Sequence, residues 1–236
     1  MSKPDNVPNG VRSRFLAKKV LVYDTGMMSE VVVSLIRQHF PDTQILGLID
    51  KAEFVATSRA LSYSVFDRRE IGDRFDISEI PVVLGVGFGT MNRERKDAFE
   101  FLELNGHKIQ TLIHPSASIS DDAVVNDGAV IFDGVSIGPF AEVGAASIVW
   151  SNCVIGHHSR VGAFSFLAGP SALGGRVTLG ECSYVGLNVT IKDGVSIGAE
   201  SFIGATVYVN NDLPDYSVCY GQRSKLNKLS SRQLFS

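Results

Sequence analysis

The sequence predicts two unlike pieces in series: a small α/β unit built on a parallel sheet, then a three-sided parallel β-helix. Three observations predict this. From Ile119 to Val209 an aliphatic residue recurs at every sixth position with no insertion. Before residue 106, apolar runs alternate with stretches whose apolar residues fall at helical spacing. Most of the 23 glycines lie in the second half, many directly after the recurring aliphatic residue.

The first half reads as alternating elements. Lys18–Asp24 (KKVLVYD) is a buried strand, broken by Gly26. Ser29–Phe40 carries Val32, Val33, Leu35 and Ile36 on one helical face. Gln44–Asp50 (QILGLID) is a second strand, and Leu61–Phe66 is a candidate for a further one. Pro81–Gly87 (PVVLGVG) is another strand, followed by an amphipathic helix over Asn92–Asn105. Ahead of all this, Met1–Phe15 holds Pro4, Asn6, Pro8, Asn9 and Gly10 and no apolar core, so a flexible tail is expected there rather than a signal peptide.

In the second half a period of six matches neither a helix nor a single strand. It fits a coil with three flat sides, where three hexads close one turn. The recurring aliphatic fills the interior. A small residue four positions later, such as Ala123, Ser147, Ser159 or Ser165, packs beside it, and the glycine is expected to tolerate the corner backbone. Sixteen hexads make a little over five coils, about 25 Å at ~4.8 Å each.

Composition narrows the function. A net charge of −3 and a pI near 5.9 argue against a nucleic-acid binder. No apolar run reaches the ~18 residues that a membrane span requires. Cys153, Cys182 and Cys219 are odd in number and form no CxxC pair, which suits a reducing cytoplasm better than a disulfide framework or a zinc ribbon.

Chemistry-bearing residues are few. The turn after the first strand, Asp24-Thr25-Gly26, has one glycine where phosphate-binding turns have several, and Asp50 ends the second strand as either a ligand-binding acid or a helix cap. Of five histidines, His39, His107 and His114 read as structural. His157 and His158 follow Ile155 and Gly156 at a coil corner, so His157 should lie on the outer surface near an edge. An exposed neutral imidazole suits general-base work, while two solvated corner histidines are the plainer alternative. No histidine follows His158, so the three convergent ligands of a catalytic zinc are missing and no metal is expected. From Ile119 to Val209 three basic residues face eight acidic ones, whereas Arg223, Lys225, Lys228 and Arg232 beyond Gly221 face none. That basic tail fits phosphate binding, or is simply solvated charge.

The α/β unit, the junction Ile113-His114-Pro115-Ser116-Ala117 and the hexads that follow resemble the hexapeptide-repeat family of sialic acid O-acetyltransferases and nucleotide 4-amino-sugar N-acetyltransferases. The resemblance implies a left-handed prism, so the expected fold is an α/β N-terminal domain with a small Rossmann-like parallel sheet followed by an all-β left-handed parallel β-helix. The expected division is a tail over 1–15, a substrate-binding domain over 16–110, the β-helix over 111–215 and a basic tail over 216–236. It further implies a homotrimer using acetyl-CoA to acylate a sugar or nucleotide-sugar acceptor. His157 stands at the catalytic position, but the acidic residue that usually follows is replaced by His158, and either histidine could be the base. Gly174 and Gly175 match backbone that faces the thioester, with the Gly175 N–H polarising it. Phe166, Leu187, Ala205, Arg223 and Lys225 fall where relatives meet the coenzyme, and Gly26 and Asp50 where they meet the nucleotide. O-acylation of a free or lipid-linked sugar, and a non-catalytic trimeric scaffold or sugar-binding module, remain the alternatives.

Overall fold

The computed structural model describes residues 16–55, 63–222, 230 and 232. The tail expected over 1–15 and the basic positions Arg223, Lys225 and Lys228 lie outside the described residues.

The first half forms β1 (Lys19–Tyr23), α1 (Met27–His39), β2 (Gln44–Asp50), α2 (Ala52–Val55), β3 (Val65–Asp67), α3 (Ile71–Arg74), β4 (Val82–Leu84) and α4 (Arg93–Leu104). All four strands are parallel, in the order β3-β2-β1-β4. The strand expected over Pro81–Gly87 stops at Leu84. Gly85 donates its N–H to the Tyr23 carbonyl, and a Cβ there would lie 2.8 Å from Ser29 Cα, so the chain turns across the start of α1. The further strand begins at Val65, later than Leu61, and residues 56–62 lie outside the described set.

From Leu112 to Cys219 the chain winds into the three-sided, left-handed prism, with two-residue strands β5 (Leu112–Ile113) through β22 (Val218–Cys219) stacked in three parallel sheets. Register repeats every eighteen residues, as in Ser118–Ile119 against Ser136–Ile137. The hexad aliphatics from Ile119 to Val209 form one buried column, which starts one step earlier at Ile113. The small residues beside them do more than fill space. Ser147, Ser159 and Ser165 donate to the carbonyls of Gly162, Gly174 and Gly180 and accept N–H bonds from the coil that follows.

The glycine after the aliphatic residue is not there for a left-handed backbone; that conformation falls two residues later, at Phe140, Asn152, His158, Arg176 and their equivalents. The glycine is required by close approach instead. A Cβ on Gly156 would sit 2.5 Å from the backbone of Gly174, and one on Gly162 would sit 2.4 Å from Glu181 N.

The sheet and the prism share their packing. Val20, Val22, Val32 and Ile36 pack with Leu112, Val130, Ile148 and Phe166. On the other side, Leu21, Leu84, Phe99 and Leu102 pack with Ala146, Phe164 and Cys182. Arg95 on α4 is fully buried at this seam. Its guanidinium donates to Leu84 and Val86 carbonyls in the α/β half and to Gly128 and Ala146 carbonyls in the prism. Burial draws its pKa down to about 9, which leaves it charged near neutrality.

Candidate functional site

The first candidate site is the corner Gly156-His157-His158. Its strand, Val154–Ile155, pairs with Ser136–Ile137 before it and Ala172–Leu173 after it. His157 therefore lies between Pro139 and Gly175, and His158 between Phe140 and Arg176, each one coil away. Both histidines are exposed, as the position two past Ile155 predicts. His158 takes φ +59°, and its ring lies 4.8 Å from that of Phe140. The Nδ1 atoms of the two histidines are 3.1 Å apart.

The imidazole of His157 lies against Gly175. A Cβ on that glycine would be 2.5 Å from His157 Nε2 and 2.6 Å from Cε1. Gly175 thus has no side chain because the ring of the preceding coil occupies that volume. Gly174 is bare for a related reason: a Cβ there would meet Asp193 Oδ1 at 2.1 Å. That same oxygen accepts the Gly175 N–H at 2.8 Å. The glycine pair expected to face a thioester is thus filled from within the chain, and the N–H assigned to the thioester oxygen is already donated to Asp193.

Phe166, Leu187 and Ala205 are not brought to this corner within the chain. Phe166 is buried on another side of the prism, 5.6 Å from Tyr184 and 5.1 Å from Phe88 between ring centres. It belongs to an aromatic ladder that runs from Trp150 through Tyr184 to Phe202, on the side that receives the α/β half. Leu187 and Ala205 sit one above the other on a different prism edge, both exposed.

The second candidate site is a cleft of about 460 Å³ at the C-terminal ends of β1, β2 and β4, lined by Tyr23–Gly26, Asp50, Lys51, Glu53, Phe54, Val86 and Glu94. It lies where strand order reverses beside β1, the usual ligand position in an open parallel sheet. Gly26 and Asp50, far apart in sequence, meet here. The buried Asp50 accepts the Thr25 hydroxyl at 2.6 Å and the Lys51 N–H at 2.7 Å. Gly26 N–H, the amide that opens α1, donates to Asp24 Oδ2 at 3.1 Å.

Asp24, which the sequence shows as a strand end opening the Gly26 turn and not as a site residue, also lines the cleft. Burial pushes its pKa up to about 6, opposed by the Gly26 N–H and assisted by the nearby Asp50 and Glu94 charges. With Glu53, the cleft carries four acids against Lys51, which itself pairs with Asp97 at 3.2 Å. Among the described residues, no cluster of three or more His, Cys, Asp or Glu could hold a metal ion. Nor is any described helix long and apolar enough to cross a membrane.

No protein-family model matches the sequence, and no curated protein sequence matches it either. Solved structures do. Perosamine N-acetyltransferase from Caulobacter crescentus, in a histidine-to-asparagine variant bound to CoA and GDP-perosamine, is 27% identical with a TM-score of 0.74, over 85% of this chain and 92% of that one. The acetyltransferase domain of PglB from Neisseria gonorrhoeae (20% identity, TM-score 0.67) covers 85% of this chain and 95% of that one. WeeI from Acinetobacter baumannii (16%, TM-score 0.73) covers 84% and 94%. The last two speak to the fold alone. The Caulobacter enzyme agrees with the family that the junction and the hexads resemble, and all three agree with the fold.

Proposed function

We infer that this chain is an acetyl-CoA-dependent acyltransferase that acetylates the amine of a nucleotide-linked amino sugar. The observation that carries this is the likeness to the Caulobacter enzyme over 85% of this chain, in a structure that holds CoA and GDP-perosamine together.

In this reading the acceptor is held in the cleft near Gly26 and Asp50, and His157 is the base. The amine nitrogen attacks the thioester carbonyl, forming the C–N bond, and gives its proton to His157 Nε2. The C–S bond then breaks, and the CoA thiolate takes a proton from His157 as it leaves, so the products are the amide and free thiol. His157 is exposed and its Nε2 carries no hydrogen bond among the described residues, as a base awaiting substrate requires. Gly175 N–H can reach the thioester oxygen only in exchange for Asp193 Oδ1, so no oxyanion donor is assigned to this corner. Arg223 and Lys225 are retained as phosphate contacts for the coenzyme, tested by the salt dependence of the KM for acetyl-CoA after truncation at Gly221.

The Leu187–Ala205 edge and the His157 corner lie on different edges of one prism. A single extended coenzyme would touch both only between two copies, and this supports a homotrimer. Sedimentation giving a monomer at micromolar concentration would remove that support. We place the reaction in the cytoplasm, in surface-polysaccharide synthesis; three free cysteines, two of them buried, suit a reducing compartment.

One observation favours an acceptor without a diphosphate: the acidic excess of the cleft, with Asp24 already on the Gly26 amide. The deciding experiment measures thiol release from acetyl-CoA with GDP-, UDP- and dTDP-linked amino sugars beside free amino sugars and polyols. Turnover with one nucleotide sugar names the carrier. Turnover with the free acceptors alone replaces this reading with the second one.

A further inference from the structure

The catalytic reading leaves open what holds the His157 ring in the tautomer a base needs. Imidazole nitrogens 3.1 Å apart, as the two Nδ1 atoms are, share one proton: one ring donates and the other accepts. The rings meet edge to face, 5.3 Å between centres and 86° between planes, and each Nδ1 lone pair or N–H lies in the plane of its own ring because the nitrogen is sp². If His158 donates, the His157 proton sits on Nε2 and that atom cannot take one from an amine. If His158 accepts, His157 carries its proton on Nδ1 and leaves Nε2 free.

We infer that His158 accepts, making it the positioning residue for His157. The site around it is built for this. Its ring packs against that of Phe140, 4.8 Å away, while Gly175 beds the other side of His157. No other described residue hydrogen-bonds the His157 ring. An imidazole thus takes the place that an acidic residue holds in the resembling family, and it orients the base without adding a negative charge. A carboxylate there would hold the His157 imidazolium more tightly, whereas a neutral acceptor fixes the tautomer alone. This inference rests on His157 as the base.

Nitrogen-15 NMR of the labelled full chain tests it without any acceptor sugar, because long-range proton–nitrogen correlations distinguish an Nδ1–H from an Nε2–H imidazole. His157→Ala identifies the signals. The expected result is a neutral His157 in the Nδ1–H form, lost in His158→Ala and retained in His158→Asn, whose Oδ1 can accept at the same place. Both replacements suit the backbone, since Ala146 and Asn152 hold the same turn position at φ +51° and +61°. With acetyl-CoA and GDP-perosamine, kcat should fall roughly 10- to 100-fold in His158→Ala, KM staying level, and recover in His158→Asn. An Nε2–H tautomer in the unaltered protein, or one indifferent to His158→Ala, overturns the inference. Full turnover in His157→Ala instead overturns the base assignment, so the two failures are separable.

Discussion

The His157 corner and the Asp24–Asp50 cleft are both turns at the C-terminal end of a parallel strand, and they are built in opposite ways. At the corner, the neighbours of His157 from other coils are set by the eighteen-residue register, Pro139 before it and Gly175 after it, and His158 is adjacent in the chain. In the cleft, three stretches more than twenty residues apart, 23–26, 50–54 and 86–94, converge on one space, and burial rather than register shapes its chemistry. The corner histidines are exposed, while the cleft half-buries a carboxylate whose pKa rises to about 6. A repeating backbone places chemistry by counting, whereas converging loops place it by packing.

The sharpest test of that contrast is His157→Ala. It should lower kcat roughly 10²–10⁴-fold while coenzyme affinity, measured by titration, stays nearly unchanged. Near-full turnover would move the chemistry off the corner.

Arg95→Leu tests whether the two regions are one mechanical unit. It strands buried carbonyls on both sides of the seam, and the expected loss is about 3 kcal/mol by urea denaturation, the cost of leaving buried acceptors unpaired. A change below 1 kcal/mol would mean that the apolar clusters alone hold the halves together.

Gly175→Ala comes next. Its methyl group would fall 2.5 Å from His157 Nε2, so the ring must leave its bed. The expected outcome is a roughly 10- to 100-fold loss in kcat with the thermal unfolding midpoint little changed. Unaltered kcat would show that the ring does not need that bed.

The smallest effect belongs to Asp24. Its folded pKa of about 6 exceeds the ordinary 3.8, so between these values the folded chain binds more protons than the unfolded one. Stability from this group therefore declines as pH rises through that window. Asp24→Asn should stabilise the protein by on the order of 1 kcal/mol at pH 8 and hardly at pH 4. Affinity for a diphosphate should rise in the variant as well. A gain that is the same at both pH values would show that Asp24 ionises freely.

The sequence by itself determined the prism. A buried column at every sixth residue fits a three-sided coil, though it does not set the hand, and strand neighbours lie eighteen positions apart, so local pattern and tertiary contact coincide. It also determined that His157 is exposed, because position within the hexad sets direction. Asp50 and Gly26 were legible as the ends of elements, though not the acids gathered around them.

Tertiary structure alone decided the rest. A six-residue period says which side chains point inward and treats all three outer sides alike. It does not say which side receives the α/β half, and that choice turned Phe166 into part of a packed aromatic ladder. It likewise does not say that one coil's imidazole rests where the next coil's Cβ would be. A Cβ on Gly175 would meet that ring, which is anchored eighteen residues earlier. Arg95 is the clearest case. In sequence it is one charge on a charged helix, and only the meeting of the sheet end with two prism turns surrounds it with carbonyls and removes it from water.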